Sequence, residues 1–164
     1  MNAARMAGDS RGEVAQALKT ARIVCGALVA GVLLYAAVAW YLRWSGAMAT
    51  VAPETANLLR QVFVAVMLIG VLGWMVIWSR ARVPTPSTVA RPEVELSRGP
   101  GGVVSRLIAA YAFLEAVGLV GATVYLLTGS VGVLVTALAV VALGAALSYP
   151  REEWFQRFLQ HRPA

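Results

Sequence analysis

Cysteine and histidine each occur once in 164 residues, as Cys25 and His161, and lysine occurs only as Lys19. A lone thiol excludes an intrachain disulfide, a Cys-x-x-Cys redox pair and a thiolate metal cage built by one copy. A lone histidine excludes bis-histidine haem ligation between helices of one chain. Charge is scarce too, at 13% of residues where a soluble domain carries about 25%. No Gly-x-Ser-x-Gly, Walker A or His-Glu-x-x-His arrangement occurs, and no two acids share an apolar run as an aspartyl-type intramembrane protease would require. The expectation is a non-enzymatic chain with no metal and no cofactor.

What remains is apolar. Hydrophobic residues make up 59% of the chain and the mean hydropathy is +0.70, so its solvent is expected to be lipid. Four runs stand out: Ile23 to Leu42, Val62 to Trp78, Leu107 to Leu127 and Val131 to Tyr149. Each is about 17 to 21 residues, enough for a helix to cross a hydrocarbon core of about 30 Å. The expected fold is all-α, a polytopic membrane protein of four transmembrane helices arranged as two hairpins. Ala47, Met48 and Ala49 form an A-x-A site after the first run, but that run exceeds a usual signal-peptide core and a long segment precedes it, so it reads as a span.

The basic residues set the expected orientation. Arg5, Arg11, Lys19 and Arg22 precede the first run; Arg80, Arg82, Arg91, Arg98 and Arg106 separate the second from the third; Arg151, Arg157 and Arg162 follow the fourth. Only Arg43 and Arg60 lie between the first and second, and residues 128–130 carry no charge. The positive-inside rule then gives both ends in the cytoplasm. Residues 1–22 become a cytoplasmic N-terminal segment, 43–61 an external loop, 79–106 a cytoplasmic linker rich in Pro, Gly and Arg, 128–130 an external turn and 150–164 a cytoplasmic tail. The net charge of +6 is read as contact with anionic lipid, and no nucleic-acid partner is expected. Trp40, Tyr41, Trp44, Trp74, Trp78 and Tyr149 near run ends suit interfacial belts. A bacterial inner membrane fits this pattern.

Outside the runs, Ser10 with Glu13 has capping-box spacing and predicts a helix entering the first span from Ser10. Pro84, Pro86, Pro92, Gly99, Pro100, Gly101 and Gly102 predict an irregular linker from Ser79 to Ser105. In the tail, Trp154, Phe155, Phe158 and Leu159 recur at helical spacing opposite Glu152, Glu153, Gln156 and Gln160. They predict an amphipathic helix anchored at the inner membrane surface, or docked on a partner subunit.

Glu115 is the one formally charged residue well inside a run. An ionised carboxylate there costs a few kcal/mol, so it should be protonated, paired or facing water. Ala112, Gly118 and Ala122 share its helix face at spacings of three, three and seven, and admit the close approach of a neighbouring backbone. Gly31, Gly70 and Gly144 fall at about its depth on the other runs. A ridge of Gly132, Thr136, Val140, Gly144 and Ser148 marks the fourth run at four-residue steps. Two roles stay open for Glu115: a hydrogen bond to a backbone carbonyl, Tyr111, Tyr35 or Thr123 that fixes packing, or the binding of a proton or cation.

The stretch Phe113, Leu114, Glu115, Ala116, Val117, Gly118, Leu119, Val120, Gly121 resembles the carboxylate helix of the rotary ATPase proteolipids, the ring-forming c subunits of vacuolar-type enzymes. That resemblance implies a proton- or cation-carrying role for Glu115. It is confined to this helix, because the second run has only Gly70 and Gly73 where the family has alternating glycines. The expected partners are the lipid bilayer and other membrane subunits or further copies of the chain. The leading expectation is an accessory subunit of a membrane complex; the other is an oligomeric ion-conducting element centred on Glu115.

Overall fold

The computed structural model describes residues 3–82 and 100–152. They form four helices: α1 (Ala3–Trp44), α2 (Pro53–Arg82), α3 (Pro100–Thr128) and α4 (Val131–Leu147). The first three are long and apolar enough to cross a membrane, over Val14–Trp44, Pro53–Arg80 and Gly102–Thr128. The fourth is apolar but shorter, with 17 residues, about 25 Å of helix.

Two helix bounds differ from expectation. Helix α1 is already formed before Ser10, so the chain does not enter its helix there; buried Val14, Leu18 and Ala21 pack on Val103, Val104 and Leu107 of α3, which extends the helical seam below the apolar run. The region expected to be irregular between Ser79 and Ser105 is helical to Arg82 and again from Pro100. Proline suits the first helical turn because its missing N–H has no intrahelical acceptor there, and the Val103 and Val104 contacts hold the following turn despite two glycines.

Helix α3 is the hub. The N-terminal part of α1 meets the N-terminal part of α3, and Ala36 and Ala39 near the other end meet Ala122 and Tyr125, so α1 and α3 run parallel. On α2, Phe63 meets Val117 and Val124 while Trp74 meets Ala110 and Leu114, so α2 runs antiparallel to them. Leu134 packs beside Tyr125 and Gly144 beside Leu114, which makes α4 antiparallel to α3 as well. Helices α1 and α2 are consecutive yet scarcely touch each other; each instead has a long seam with α3. The expected first hairpin is therefore two helices held apart by a third.

The seams repeat at steps of three and four. On α1 they run through Val14, Leu18, Ala21, Cys25, Leu28, Val32, Ala36 and Ala39. On α4 the buried positions are Leu134, Ala137, Val141, Gly144 and Ser148. The four-step ridge expected there faces the bundle only in its second half: Gly132 and Thr136 are exposed, whereas Val140 packs half-buried against the core and Gly144 and Ser148 are buried. Four-residue steps advance about 400° and drift around the helix, whereas alternating three and four averages 3.5 and keeps one face on its neighbour.

The helices that precede both described loops end in glycine caps. Gly46, with φ 73°, closes α1: Gly46 N donates to Arg43 O at 3.3 Å and Ala47 N to Leu42 O at 3.2 Å, the two bonds of a Schellman motif. Gly129, with φ 68°, closes α3 by donating to Tyr125 O at 2.7 Å. Arg43 lies over Gly129, where a Cβ would meet its Nη2 at 2.7 Å, and its Nη1 donates to Met48 O at 3.1 Å. The guanidinium thus sits against the negative end of α3, and Val51 N donates to Leu127 O at 3.2 Å. The opposite end gathers Arg22, whose Nε donates to Pro150 O at 3.4 Å and whose guanidinium lies 5.7 Å from the Tyr149 ring centre, and Arg106, which donates to Arg80 O at 3.2 Å.

Candidate functional site

Lipid tails are as apolar as leucine, so burial of apolar surface adds little to helix association in a bilayer; close packing and hydrogen bonds carry it. The middle of the bundle shows both. Three glycines expected at one depth all face α3 between residues 113 and 117. A Cβ on Gly31 would lie 3.9 Å from Glu115 Oε1; one on Gly70 would come 2.3 Å from Val117 Cγ2 and 3.3 Å from the Phe113 carbonyl; one on Gly144 would come 2.6 Å from Leu114 Cδ2. Each surrounding helix therefore offers α3 a bare backbone at the level of Glu115.

Glu115 stands midway along the apolar part of α3 and is half-buried at the edge facing α1. Its packing neighbours are not all on one seam. Gly118 meets α1 and α4 together, since a Cβ there would lie 2.4 Å from Val32 Cγ1 and 3.1 Å from Val141 Cγ2. Ala122 is fully buried beside Ala36 and Ala39. Ala112 is exposed, as is Ala116, on the side of α3 left open between α1 and α2. Trp154, Phe155, Phe158 and Leu159 lie outside the described residues.

The hydroxyls proposed as partners of Glu115 are engaged elsewhere. Tyr111 Oη donates to Ala145 O at 3.0 Å. Thr123 Oγ1 donates to Leu119 O at 2.8 Å and accepts from Tyr35 Oη at 3.0 Å. Glu115 makes no hydrogen bond or ion pair with the described residues. Its carboxyl is a mid-span polar group that the described residues leave unsatisfied.

A second polar cluster was not foreseen. Ser148 is fully buried at the end of α4; its Oγ donates to Gly144 O at 2.5 Å and accepts from Trp74 Nε1 at 3.4 Å. Trp74 is a core residue, 7% exposed and stacked on Trp78 at 5.2 Å, and not part of an interfacial belt. With the Tyr111 bond to Ala145, this knot ties α2, α3 and α4 together. The sequence signal was available: Trp74 and Ser148 both lie near the C-terminal ends of the second and fourth runs, which are parallel to each other, and an indole N–H inside a bundle needs an acceptor.

Among the described residues no group of three His, Cys, Asp or Glu side chains converges as a metal site would need. Among the described residues, Glu115 is a polar group within the apolar helices that no internal partner satisfies, in contrast to the bonded Trp74, Ser148 and Tyr111. Comparison with protein-family models, with curated proteins and with solved structures returns no match to this chain.

Proposed function

We propose that this chain is a non-enzymatic, four-span subunit of a bacterial inner-membrane assembly, with both ends in the cytoplasm, that packs against other membrane subunits. The observation that carries this reading is Glu115: a carboxyl at the middle of an apolar helix, half-buried, with no partner among the described residues. Exposed to lipid, such a group costs about 3 kcal/mol if ionised; a neighbouring subunit removes that cost by supplying a hydrogen-bonding group. The grouping of Arg22, Arg80 and Arg106 near one end of the bundle and Arg43 at the other supports the orientation through the positive-inside rule. For α4, short for a span, local thinning or the flanking Tyr149 and Arg151 accommodates the mismatch.

A second reading is favoured by the same unpaired carboxyl and by the proteolipid-like stretch around it: an oligomer that conducts protons or cations through Glu115. The native mass in mild detergent separates the two. The subunit reading expects stoichiometric foreign membrane proteins to travel with the chain. A homogeneous multiple of 17.4 kDa would overturn it in favour of the oligomer, for which Glu115→Gln must then abolish ion flux in reconstituted vesicles.

A further inference from the structure

We propose that the open face of α3 between α1 and α2, floored by Ala112 and Ala116 and edged by Glu115, receives one transmembrane helix of a different protein that carries a basic or amide side chain at the depth of Glu115. This rests on the subunit reading and names the face and the partner's chemistry. Three observations converge. Helices α1 and α2 flank α3 with scarcely any contact to each other, so a strip of α3 is uncovered between them. The exposed residues on that strip beside the carboxyl are alanines, which let another helix backbone approach closely. Glu115 at its edge has no partner among the described residues, and Gly31 beside it offers no side chain.

Charge complementarity decides the occupant. A lone lipid tail would leave the carboxyl unsatisfied. A second copy brings no basic residue within its apolar runs, because all fourteen lie outside them; its level counterpart would be another Glu115, and two such carboxyls pair only when protonated. A foreign helix bearing Lys, Arg, His, Asn or Gln at that depth satisfies the group directly and supplies the interhelical hydrogen bond or ion pair that the described residues do not give Glu115.

The test uses the full chain in its own membranes, with a photo-crosslinking phenylalanine derivative placed singly at Ala112, at Ala116 and, for comparison, at lipid-exposed Leu72 and Leu143. The expected result is an adduct from Ala112 and Ala116, weak or absent from Leu72 and Leu143, whose crosslinked peptide lies in an apolar segment containing a basic or amide residue. Glu115→Leu should weaken that association by about five- to thirty-fold, the loss of one interhelical hydrogen bond, and Glu115→Gln should retain most of it. Adducts at twice the chain mass would overturn the proposal by making this face a self-interface. So would an apolar partner segment with no basic or amide residue. If foreign subunits co-purify but crosslink only from Leu72 or Leu143, the inference fails while the subunit reading stands. If nothing co-purifies and no adduct forms, both fail.

Discussion

Gly121→Ala destabilises the bundle by about 1–3 kcal/mol, the usual cost of overpacking a close contact, although alanine is ordinarily the better helix former. A Cβ at Gly121 would lie 2.3 Å from the Ala137 Cβ and 3.1 Å from Phe63 Cε2. The Ala137 methyl has no rotamer by which to retreat, so α4 itself must move away from α3, and the adjoining contact at Gly118 with Val141 opens with it. Gly132→Ala is the matched control, because a Cβ there meets nothing within 4 Å; its effect should stay within about 0.5 kcal/mol. Reversible unfolding in mild detergent reads both. Equal stabilities for the two variants would show that α3 and α4 do not approach as described.

Ser148→Ala costs about 1–3 kcal/mol, because it leaves the Trp74 indole N–H buried without its acceptor. The serine accepts from Trp74 and donates to Gly144 O, and it is wholly enclosed. Trp74→Phe removes the orphaned donor, so the double variant should be less destabilised than the sum of the singles. Strict additivity in that double-mutant cycle would dissolve the knot between α2 and α4. The knot lies at the end of the bundle away from Arg43, so its loss should loosen the end of α4 near Pro150 first, visible as faster amide exchange at residues 145–149.

Much of the architecture was legible because membrane helices declare themselves by length and hydropathy. The runs that begin at Ile23, Val62 and Leu107 each fall within one helix, the run from Val131 to Tyr149 outlasts its helix by two residues, and the common depth of Gly31, Gly70 and Gly144 followed from counting inward from one end. The misreadings have physical causes. Proline and glycine read as breakers, but Pro100 sits where a helix tolerates it, and Gly101 and Gly102 follow in a turn held by valines against α1. Four-residue spacing on α4 resembles a ridge until its drift around the helix is counted. Helix pairing was inferred from chain order, although the seam that excludes α1–α2 contact is written in the small residues of α3, which serve three neighbours. Glu115 was legible as chemistry, while its lack of a partner among the described residues was not, since Tyr111 and Thr123 on its own helix and Tyr35 on the first are all candidates until the structure shows them bonded elsewhere.

The hub position of α3 bears on how the chain is made. Synthesis delivers α1 and α2 first, and these two have scarcely any surface in common, so the half-finished product is a pair of separate apolar rods with no seat for either. Only when residues 100–128 emerge does a template exist on which both can settle, followed at once by α4 across a two-residue turn. The nascent chain thus passes through a stage in which its glycine-notched faces, Gly70 and Gly73 among them, are open to any neighbouring helix. An insertase or holding factor that shields α1 and α2 until the third helix arrives would govern yield, and a ribosomal pause between residues 82 and 100 would be the costliest place to stall.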